Sequence, residues 1–418
     1  MKAFSSASLI IFSQLTKILL GLFLMKAIAL QLGTNGLGQL GHFISLITFL
    51  VIFSGGGIES GIVKYVSEYK NKPFQLISFL QASILYSSFL SFIIFLLLSL
   101  FSHQISDFIF NDSQFYYIII LISVIQFIML YNKIIFSIAN GYKDTKVYAY
   151  SQVIGNILSI PVIWWLITTY GFIGSMIAIA TNVIFASIPL YYFARKSNLL
   201  HLLKPKIKKY KEFTYLSHYS YMAIASALVF PLLEIFIRQL IITSSGYSDA
   251  GIWQAANKLS GVYVGFFALF LSYYFLPTVS PLKNNIQLQK IIIKYILVLG
   301  TLFLIFASAF YAGRNFFIVL LFSSEFESLA NIIYLQLIGD FFKVMTFVIG
   351  FVYVAKAKVW FYICIEILQG ILISFFTILL YSTNAGLEKI FQAYLISNII
   401  FFIIMVIFIY KDLKQNTL

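Results

Sequence analysis

The chain has 418 residues, of which 61% are hydrophobic and 10% are charged, and its mean hydropathy is +0.94. An ordinary soluble protein is about 45–50% apolar and about 25% charged, so this composition excludes a water-soluble fold. A membrane-spanning helix needs about 20 apolar residues, and the apolar runs here are continuous, unlike the alternating segments of a membrane β-barrel. The composition therefore predicts an all-α polytopic membrane protein.

In chain order, the apolar runs predict twelve transmembrane helices separated by short polar turns. The first six predicted spans lie near residues 6–30, 37–60, 77–101, 115–140, 147–169 and 171–194. The other six lie near residues 214–240, 249–277, 288–311, 328–355, 358–381 and 386–410. Turn-forming residues such as Gly33-Thr34-Asn35-Gly36 and Ser244-Ser245-Gly246 interrupt the runs at these boundaries.

Basic residues sort strongly between the two sides of this predicted topology. With both termini in the cytoplasm, the cytoplasmic segments hold twenty Lys and Arg residues, whereas the outer loops hold only Arg314 and Lys389. Such a bias is the positive-inside signal of an inner-membrane protein. The formal net charge of +14 is thus explained by topology, and no nucleic-acid partner is expected.

The longest hydrophilic stretch divides the chain into two predicted lobes. It follows the sixth span and runs from Arg195 to Glu212 with Pro205 at its centre. We predict an N-terminal lobe over 1–194, a basic cytoplasmic linker over 195–213 and a C-terminal lobe over 214–418. The linker could be a solvated segment that contacts anionic bilayer lipids, or it could hold an anionic substrate at the entrance.

After the charges assigned to the loops and span ends are removed, nine charged residues remain inside the predicted spans. Facing lipid, each would cost about 3 kcal/mol, and together they would exceed the typical net stability of a domain, about 5–15 kcal/mol. They must therefore pair, reach the headgroups or line water. The six basic residues are Lys17, Lys26, Lys133, Arg238, Lys258 and Lys343, and the three acidic ones are Glu234, Asp340 and Glu366.

Helix geometry allows some of these charges to neutralise each other. Glu234 and Arg238 are four residues apart, with the acid in the favourable N-terminal position, so an internal ion pair is one interpretation. Asp340 and Lys343 are three residues apart and could form a similar bridge. Glu366 shares a helix face with a glutamine and could serve either a helix contact or proton transfer.

The remaining lysines are stronger candidates for a polar lumen. Lys17 lies near the middle of the first span, whereas Lys26 lies close to its outer end and could reach the headgroups. No acidic residue in its own span can neutralise Lys258, and Lys133 could extend to the cytoplasmic rim. Because the spans carry a net positive charge, a water-filled path through them would favour an anionic solute such as a phosphate or diphosphate.

Several motifs that would indicate other chemistry are missing from the sequence. We find no Gly-rich P-loop of an ATPase, no His/Cys cluster at metal-ligand spacing and no Gly-x-Ser-x-Gly elbow of a hydrolase. No cofactor or metal is therefore predicted. Transport would have to draw on an ion gradient or on substrate supply.

The order and spacing of several short motifs resemble the Wzx-type flippases of the multidrug/oligosaccharidyl-lipid/polysaccharide (MOP) superfamily, above all those for O-antigen units and enterobacterial common antigen. The similarity covers nearly the whole chain. The matching segments are Lys17 with Gly21 and Lys26, the turn 33–38, and the segments 57–66, 251–254, 276–278, 339–343 and 355–366.

This resemblance implies a two-lobed bacterial inner-membrane transporter with a cationic cavity between the lobes, bordered by spans 1, 2, 7 and 8. The implied substrate is an undecaprenyl-diphosphate-linked oligosaccharide, moved from the cytoplasmic to the periplasmic leaflet by alternating access. A polymerase and a chain-length regulator of the same pathway would be its partners. The implied substrate-binding residues are Lys17, Arg238 and Lys258, then Lys26 and Lys343, and the implied ion-coupling residues are Asp340, Glu366 and Glu234.

Two other functions are compatible with the hydropathy. A multidrug or small-molecule antiporter of the same superfamily would prefer acidic and aromatic surroundings for organic cations, which the net positive spans disfavour. A membrane polysaccharide polymerase would be expected to carry a long periplasmic loop with catalytic residues. The outer segments 102–114 and 312–327 are too short for one.

Overall fold

The computed structural model describes residues 2–197, 199, 212–282, 284–356, 358–383 and 386–415. Most of the predicted basic linker, residues 198 and 200–211, lies outside these ranges. Within them every regular element is helical, and fourteen α-helices follow one another along the chain. The predicted all-α fold is confirmed.

The helices alternate between long apolar segments and short connecting ones. The first seven are α1 (Lys2–Gln39), α2 (Gly41–Phe53), α3 (Glu59–Tyr69), α4 (Pro73–Leu100), α5 (Ser102–Phe110), α6 (Tyr116–Gly141) and α7 (Thr145–Lys196). The other seven are α8 (Phe213–Phe270), α9 (Leu276–Val279), α10 (Asn285–Ala312), α11 (Arg314–Leu321), α12 (Leu329–Ala355), α13 (Val359–Thr383) and α14 (Leu387–Gln415).

Nine helices in the described ranges are long and apolar enough to cross a membrane. Two of them, α7 with 52 residues and α8 with 58, contain a non-helical glycine, Gly171 and Gly246 respectively, and each therefore holds two of the predicted spans. The second predicted span, 37–60, covers the end of α1, all of α2 and the first two residues of α3. The chain is thus a multi-pass membrane protein whose helices accommodate all twelve predicted spans.

The second span is broken, which the sequence prediction of one continuous helix missed. Gly55, Gly56 and Gly57 have φ angles of 81°, 80° and 66°, a region that L residues with a Cβ rarely occupy. Consequently α2 ends at Phe53 and α3 begins at Glu59. Backbone that is not helical at membrane depth must find hydrogen-bond partners within the protein or in water.

The two halves of the chain repeat the same order of elements. In the first half the 28-residue α4 is followed by the nine-residue α5, a 3₁₀ turn and α6. In the second half the 28-residue α10 is followed by the eight-residue α11, a 3₁₀ turn and α12. Gly33 in α1 and Gly246 in α8 also break their helices at equivalent places. Internal repeats of this kind are common in transporters.

By its internal contacts the chain forms two compact units. One comprises Met1–Leu32 and His42–Pro231, and the other comprises Gly33–Gly41 and Leu232–Leu418. The predicted lobes differ from these units in two places. The segment 33–41 comes from the first half of the chain but belongs to the second unit, and residues 214–231 belong to the first.

Within the second unit, the segment 33–41 is held by the turn at Gly246 and by the 3₁₀ turn before α12. The Thr34 hydroxyl lies 2.8 Å from that of Ser248, and the Thr34 backbone N–H donates to the Glu325 carboxylate at 3.1 Å. The backbones at Gly38 and Gly251 pack directly against each other. A Cβ on Gly38 would overlap the Tyr247 carbonyl oxygen, and one on Gly251 would overlap that of Thr34.

Replacing Gly38 by valine is expected to separate these backbones and to lower stability by at least the 1–3 kcal/mol typical of overpacking, because the atoms in the way are main-chain atoms. Thermal unfolding in detergent measures the effect. Gly350→Ala is the matched control, since a Cβ there meets nothing within 4 Å and alanine is favoured in a helix by about 0.5–1 kcal/mol. Equal melting temperatures for both variants would contradict the reciprocal contact.

Candidate substrate-binding and ion-coupling sites

Lys17 lies on α1 in the first unit, where its side chain is exposed. Two neighbouring polar side chains fasten this part of α1 to α7: Gln14 donates to the Tyr148 hydroxyl at 2.7 Å, and Asn156 donates to the Thr16 hydroxyl at 3.0 Å. Lys17 itself forms no hydrogen bond or ion pair with the described residues. The polar contacts around it therefore fix the helix and leave the ammonium group available.

Arg238 lies on α8 in the second unit and is completely buried. It donates to the Gln254 side-chain oxygen at 2.7 Å, and its guanidinium carbon lies 5.4 Å from the centre of the Trp253 ring. The Glu234 carboxylate is 3.7 Å away, so the predicted internal ion pair is confirmed. In this arrangement Arg238 can reach a solute only after giving up its hydrogen bond to Gln254.

Lys258 lies one turn beyond Gln254 on α8 and is half-buried. Like Lys17, it forms neither a hydrogen bond nor an ion pair with another residue of the described ranges. Gly261 and Gly265 follow on the same face, and a Cβ added to either would meet no atom within 4 Å. The face of α8 that carries Lys258 is therefore bordered by open space.

Asp340 on α12 lies at the centre of a buried hydrogen-bond network in the second unit. One carboxylate oxygen accepts from Ser260 at 2.9 Å and from Tyr394 at 2.6 Å. The other accepts from Tyr263 at 2.5 Å and from Gln336 at 3.2 Å. Four uncharged donors thus stabilise the charge of this carboxylate, in the way that buried ionised groups require.

The predicted bridge between Asp340 and Lys343 is wrong. All four donors to Asp340 are uncharged, and the Lys343 ammonium instead lies 5.7 Å from the centre of the Tyr394 ring. Lys343 is half-buried and acts on Asp340 only indirectly, through the ring whose hydroxyl donates to that carboxylate. The i,i+3 spacing allowed the bridge, but hydroxyl groups of α8 and α14 donate hydrogen bonds to both carboxylate oxygens instead.

The other two predicted site residues occupy intermediate environments. Lys26 is half-buried on α1, beyond Lys17, and Glu366 is half-buried on α13. On the same helix as Glu366, Gln369 is buried and donates to the Asn398 side chain of α14 at 3.2 Å. This part of α13 therefore takes part in a polar helix–helix contact, as one of the two sequence interpretations expected.

The sequence interpretation missed one pair of charges. Lys133 on α6 forms an ion pair with Glu59, the first residue of α3, and donates to the Ile52 carbonyl at 2.8 Å. Three successive glycines shortly before Glu59 were the available signal, because such a run inside an apolar span indicates a helix break that needs polar partners.

Comparison with known proteins identifies the family of this chain. The profile of the family described as "Polysaccharide biosynthesis protein" matches residues 4–283, more than half of the chain. The chain belongs to this family. It is also 28% identical to the lipid III flippase of Escherichia coli (strain K12), over 395 residues that cover 93% of this chain and 94% of that protein. The lipid III flippase of Shigella flexneri matches equally well.

Solved transporter structures share the fold. An inward-facing multidrug-resistance transporter of the MATE family in the MOP superfamily superposes with a TM-score of 0.79 at 15% identity, covering 97% of this chain and 95% of that one. The lipid II flippase MurJ in an inward closed conformation superposes with a TM-score of 0.77 at 17% identity, covering 100% and 90%. The proteins named in these comparisons are transporters and flippases.

Proposed function

We propose that this protein is a flippase for a polyprenyl-diphosphate-linked oligosaccharide. The observation that carries the proposal is that the ammonium groups of Lys17 and Lys258, both in apolar helices, form no hydrogen bond or ion pair with another residue of the described ranges. Every other charge described above in atomic detail has a partner: Lys133 has Glu59, Arg238 has Gln254 and Glu234, and Asp340 has four donors. An unpaired cation in such a helix is costly and is retained where it binds an anion.

The diphosphate group is the anion that fits best. Lysine binds phosphate as a point charge, and a low-dielectric wall strengthens the attraction. We assign Lys17 and Lys258 to the diphosphate, with Lys26 and Lys343 as additional cations along its route. Arg238 joins them when the Gln254 hydrogen bond opens. Similarity to the lipid III flippases over 93% of the chain supports a lipid-linked glycan.

For the glycan itself we propose an O-antigen-type repeat unit on undecaprenyl diphosphate, moved from the cytoplasmic to the periplasmic leaflet of the bacterial inner membrane. A polymerase and a chain-length regulator would then use the product. The matching order of motifs along the whole chain supports a surface-glycan unit of this general kind. Enterobacterial common antigen units and other surface glycans are the other candidates that the experiment below separates.

The fold alone also fits a multidrug antiporter, because a MATE transporter superposes as well as a flippase does. The charges distinguish the two functions. Organic cations are bound by acidic and aromatic groups, whereas Lys17 and Lys258 would repel them. Among the acids on the described helices, Asp340 is the fully buried one. Its carboxylate already accepts four hydrogen bonds, so it does not offer a free acceptor to an organic cation.

For coupling to an ion gradient we propose Asp340 first, with Glu366 and Glu234 as further candidates. Protonation or cation binding at Asp340 would release some of the four donors from α8, α12 and α14, and would thereby change how these helices pack. Glu234 would act through its ion pair with Arg238, so that neutralising it would free the guanidinium.

Deletion of the gene tests the proposed function. Right-side-out vesicles of the deletion strain are treated with a membrane-impermeant glycan probe, and the lipid-linked oligosaccharide is extracted and identified. We expect unpolymerised units to accumulate on the cytoplasmic face, protected from the probe. Units that reach the periplasmic face but stay unpolymerised would indicate a polymerase, and no accumulation together with dye sensitivity would indicate a drug antiporter.

A further inference from the structure

The break in the second span leaves two helix ends facing each other within the first unit. At the C-terminal end of α2, the Ile52 carbonyl loses its helical partner, because the Gly56 N–H donates to Phe53 instead. At the N-terminal end of α3 stands Glu59. A helix C-terminus attracts cations and a helix N-terminus attracts anions, so the break has one place for each charge.

Lys133 and Glu59 fill these two places. The Lys133 ammonium donates to the Ile52 carbonyl at 2.8 Å and at the same time pairs with the Glu59 carboxylate. Lys133 thus occupies the position that a free cation would take at the end of a half-helix. The pair is only partly enclosed, since 21% of the Lys133 side chain and 33% of the Glu59 side chain are exposed.

Polar atoms surround the glycines of the break. The Gly55 N–H donates to the Ser91 hydroxyl at 3.1 Å, and the Gln126 amide donates to the Ser91 carbonyl at 3.0 Å. Three further buried oxygens, those of the Ser54 and Ser87 hydroxyls and of the Gln126 side chain, have no partner in the described ranges. These oxygens are available as acceptors for the backbone N–H groups of residues 54–57, so this segment can satisfy its hydrogen bonds in more than one backbone conformation.

We propose that Lys133 is a tethered cation that sets the conformation of the broken second span, and that Glu59 holds it there. Lys133 and Glu59 are positioning residues for the transport proposed above, and the inference rests on that function. When an anionic group competes with Glu59 for the ammonium, the two half-helices lose their common partner, and the glycine segment changes its backbone angles. Substrate charge is thereby converted into movement of α2 against α3.

Charge reversal distinguishes this arrangement from an ordinary ion pair. In the double variant K133E/E59K the pair could still form, but the new carboxylate on α6 would face the Ile52 carbonyl, and the new ammonium would stand at the positive end of α3. Both charges would then oppose the helix ends. We therefore expect the double variant to transport no better than K133M, whereas K133R keeps most of the activity because it still donates to the carbonyl.

The transport experiment uses the full-length protein in vesicles that contain a polyprenyl-diphosphate-linked oligosaccharide, with an impermeant lectin as the probe of the outer leaflet. We expect K133M to slow translocation by at least about tenfold, because it removes one partner of a half-buried pair. Methylammonium added to K133A should restore part of the rate by taking the vacated place, and it should not do so in K133A/E59Q. Full restoration by the charge-reversed pair, or full activity of K133M, would overturn the proposal.

A second readout does not depend on the substrate. Cys364 is the one cysteine of the chain and is exposed, so C364A gives a background for a thiol at position 54. In C364A/S54C the thiol is buried and should react slowly with a maleimide, and adding K133M should accelerate labelling by at least about tenfold as the break loosens. Unchanged labelling would count against the proposal even if transport were impaired. If the wild-type protein turned over no lipid-linked glycan while labelling changed as expected, the proposed function would be wrong and the role of Lys133 in the break would stand.

Discussion

Alanine in place of Lys17 or Lys258 is expected to reduce glycan export by about 10–100-fold per site, the effect of losing a charge-assisted hydrogen bond worth about 1.5–3 kcal/mol. Neither lysine forms a hydrogen bond or ion pair with another described residue, so the variants should insert and fold like the wild type. Export is measured by complementation of the deletion strain and by the leaflet distribution of the lipid-linked oligosaccharide.

The first control for this prediction removes a charge that the proposal does not involve, and the other two keep the charge at each site. Lys146→Ala removes an exposed lysine at the start of α7 and should leave export unchanged. Lys17→Arg and Lys258→Arg keep the charge and should retain most of the export. Full export by both alanine variants would show that neither ammonium binds the diphosphate. The assignment of Lys17 and Lys258 as substrate-binding residues would then be wrong.

Replacement of Asp340 by alanine is expected to have the largest effect on stability. It would leave the donors of Ser260, Tyr263, Gln336 and Tyr394 without their common acceptor, and each unsatisfied buried donor costs about 1–3 kcal/mol. The total is comparable with the whole stability of a domain, about 5–15 kcal/mol. We expect D340A to be recovered poorly or to melt at a much lower temperature.

Asparagine at position 340 separates structure from coupling. Asp340→Asn keeps one acceptor and the shape, so hydroxyls and the Gln336 amide can reorient around it, but it removes the charge and the site of protonation. We expect D340N to fold and to lose the dependence of transport on the ion gradient. Ser260→Ala, which removes a single donor, should cost only about 0.5–1.5 kcal/mol and should leave gradient dependence intact. A gradient response in D340N equal to that of wild type would exclude Asp340 as the coupling group.

Much of the fold could be predicted from the sequence because composition and hydropathy act over whole helices. About 20 apolar residues between turn signals define a span wherever they occur, so the twelve spans could be placed before any contact was known. The broken second span was missed for the same reason. A window of this length averages over Gly55, Gly56 and Gly57, whose backbone angles decide where α2 ends.

The candidate site was less predictable because it depends on contacts between distant segments. The Glu234–Arg238 pair lies within one helix and followed from spacing. The expected Asp340–Lys343 bridge did not form, since its competitors, Tyr263 and Tyr394, come from α8 and α14 and no local rule includes them. Likewise, the partner of Lys133 lies 74 residues earlier in the chain, beyond the reach of helical periodicity.

Residues 33–41 come from the first half of the chain but belong to the second unit, and this limits where the chain can be divided into fragments. A fragment beginning at Phe213 would contain nearly all of the second unit but would lack the segment that faces Gly251 and Arg238. A Cβ on Gly41 would overlap the Arg238 side chain, so this segment also packs against a completely buried charge. Two separately made halves would therefore not be self-sufficient. The second unit needs these nine residues from the first half of the chain, so we expect the two halves to fold only when they are made as one chain.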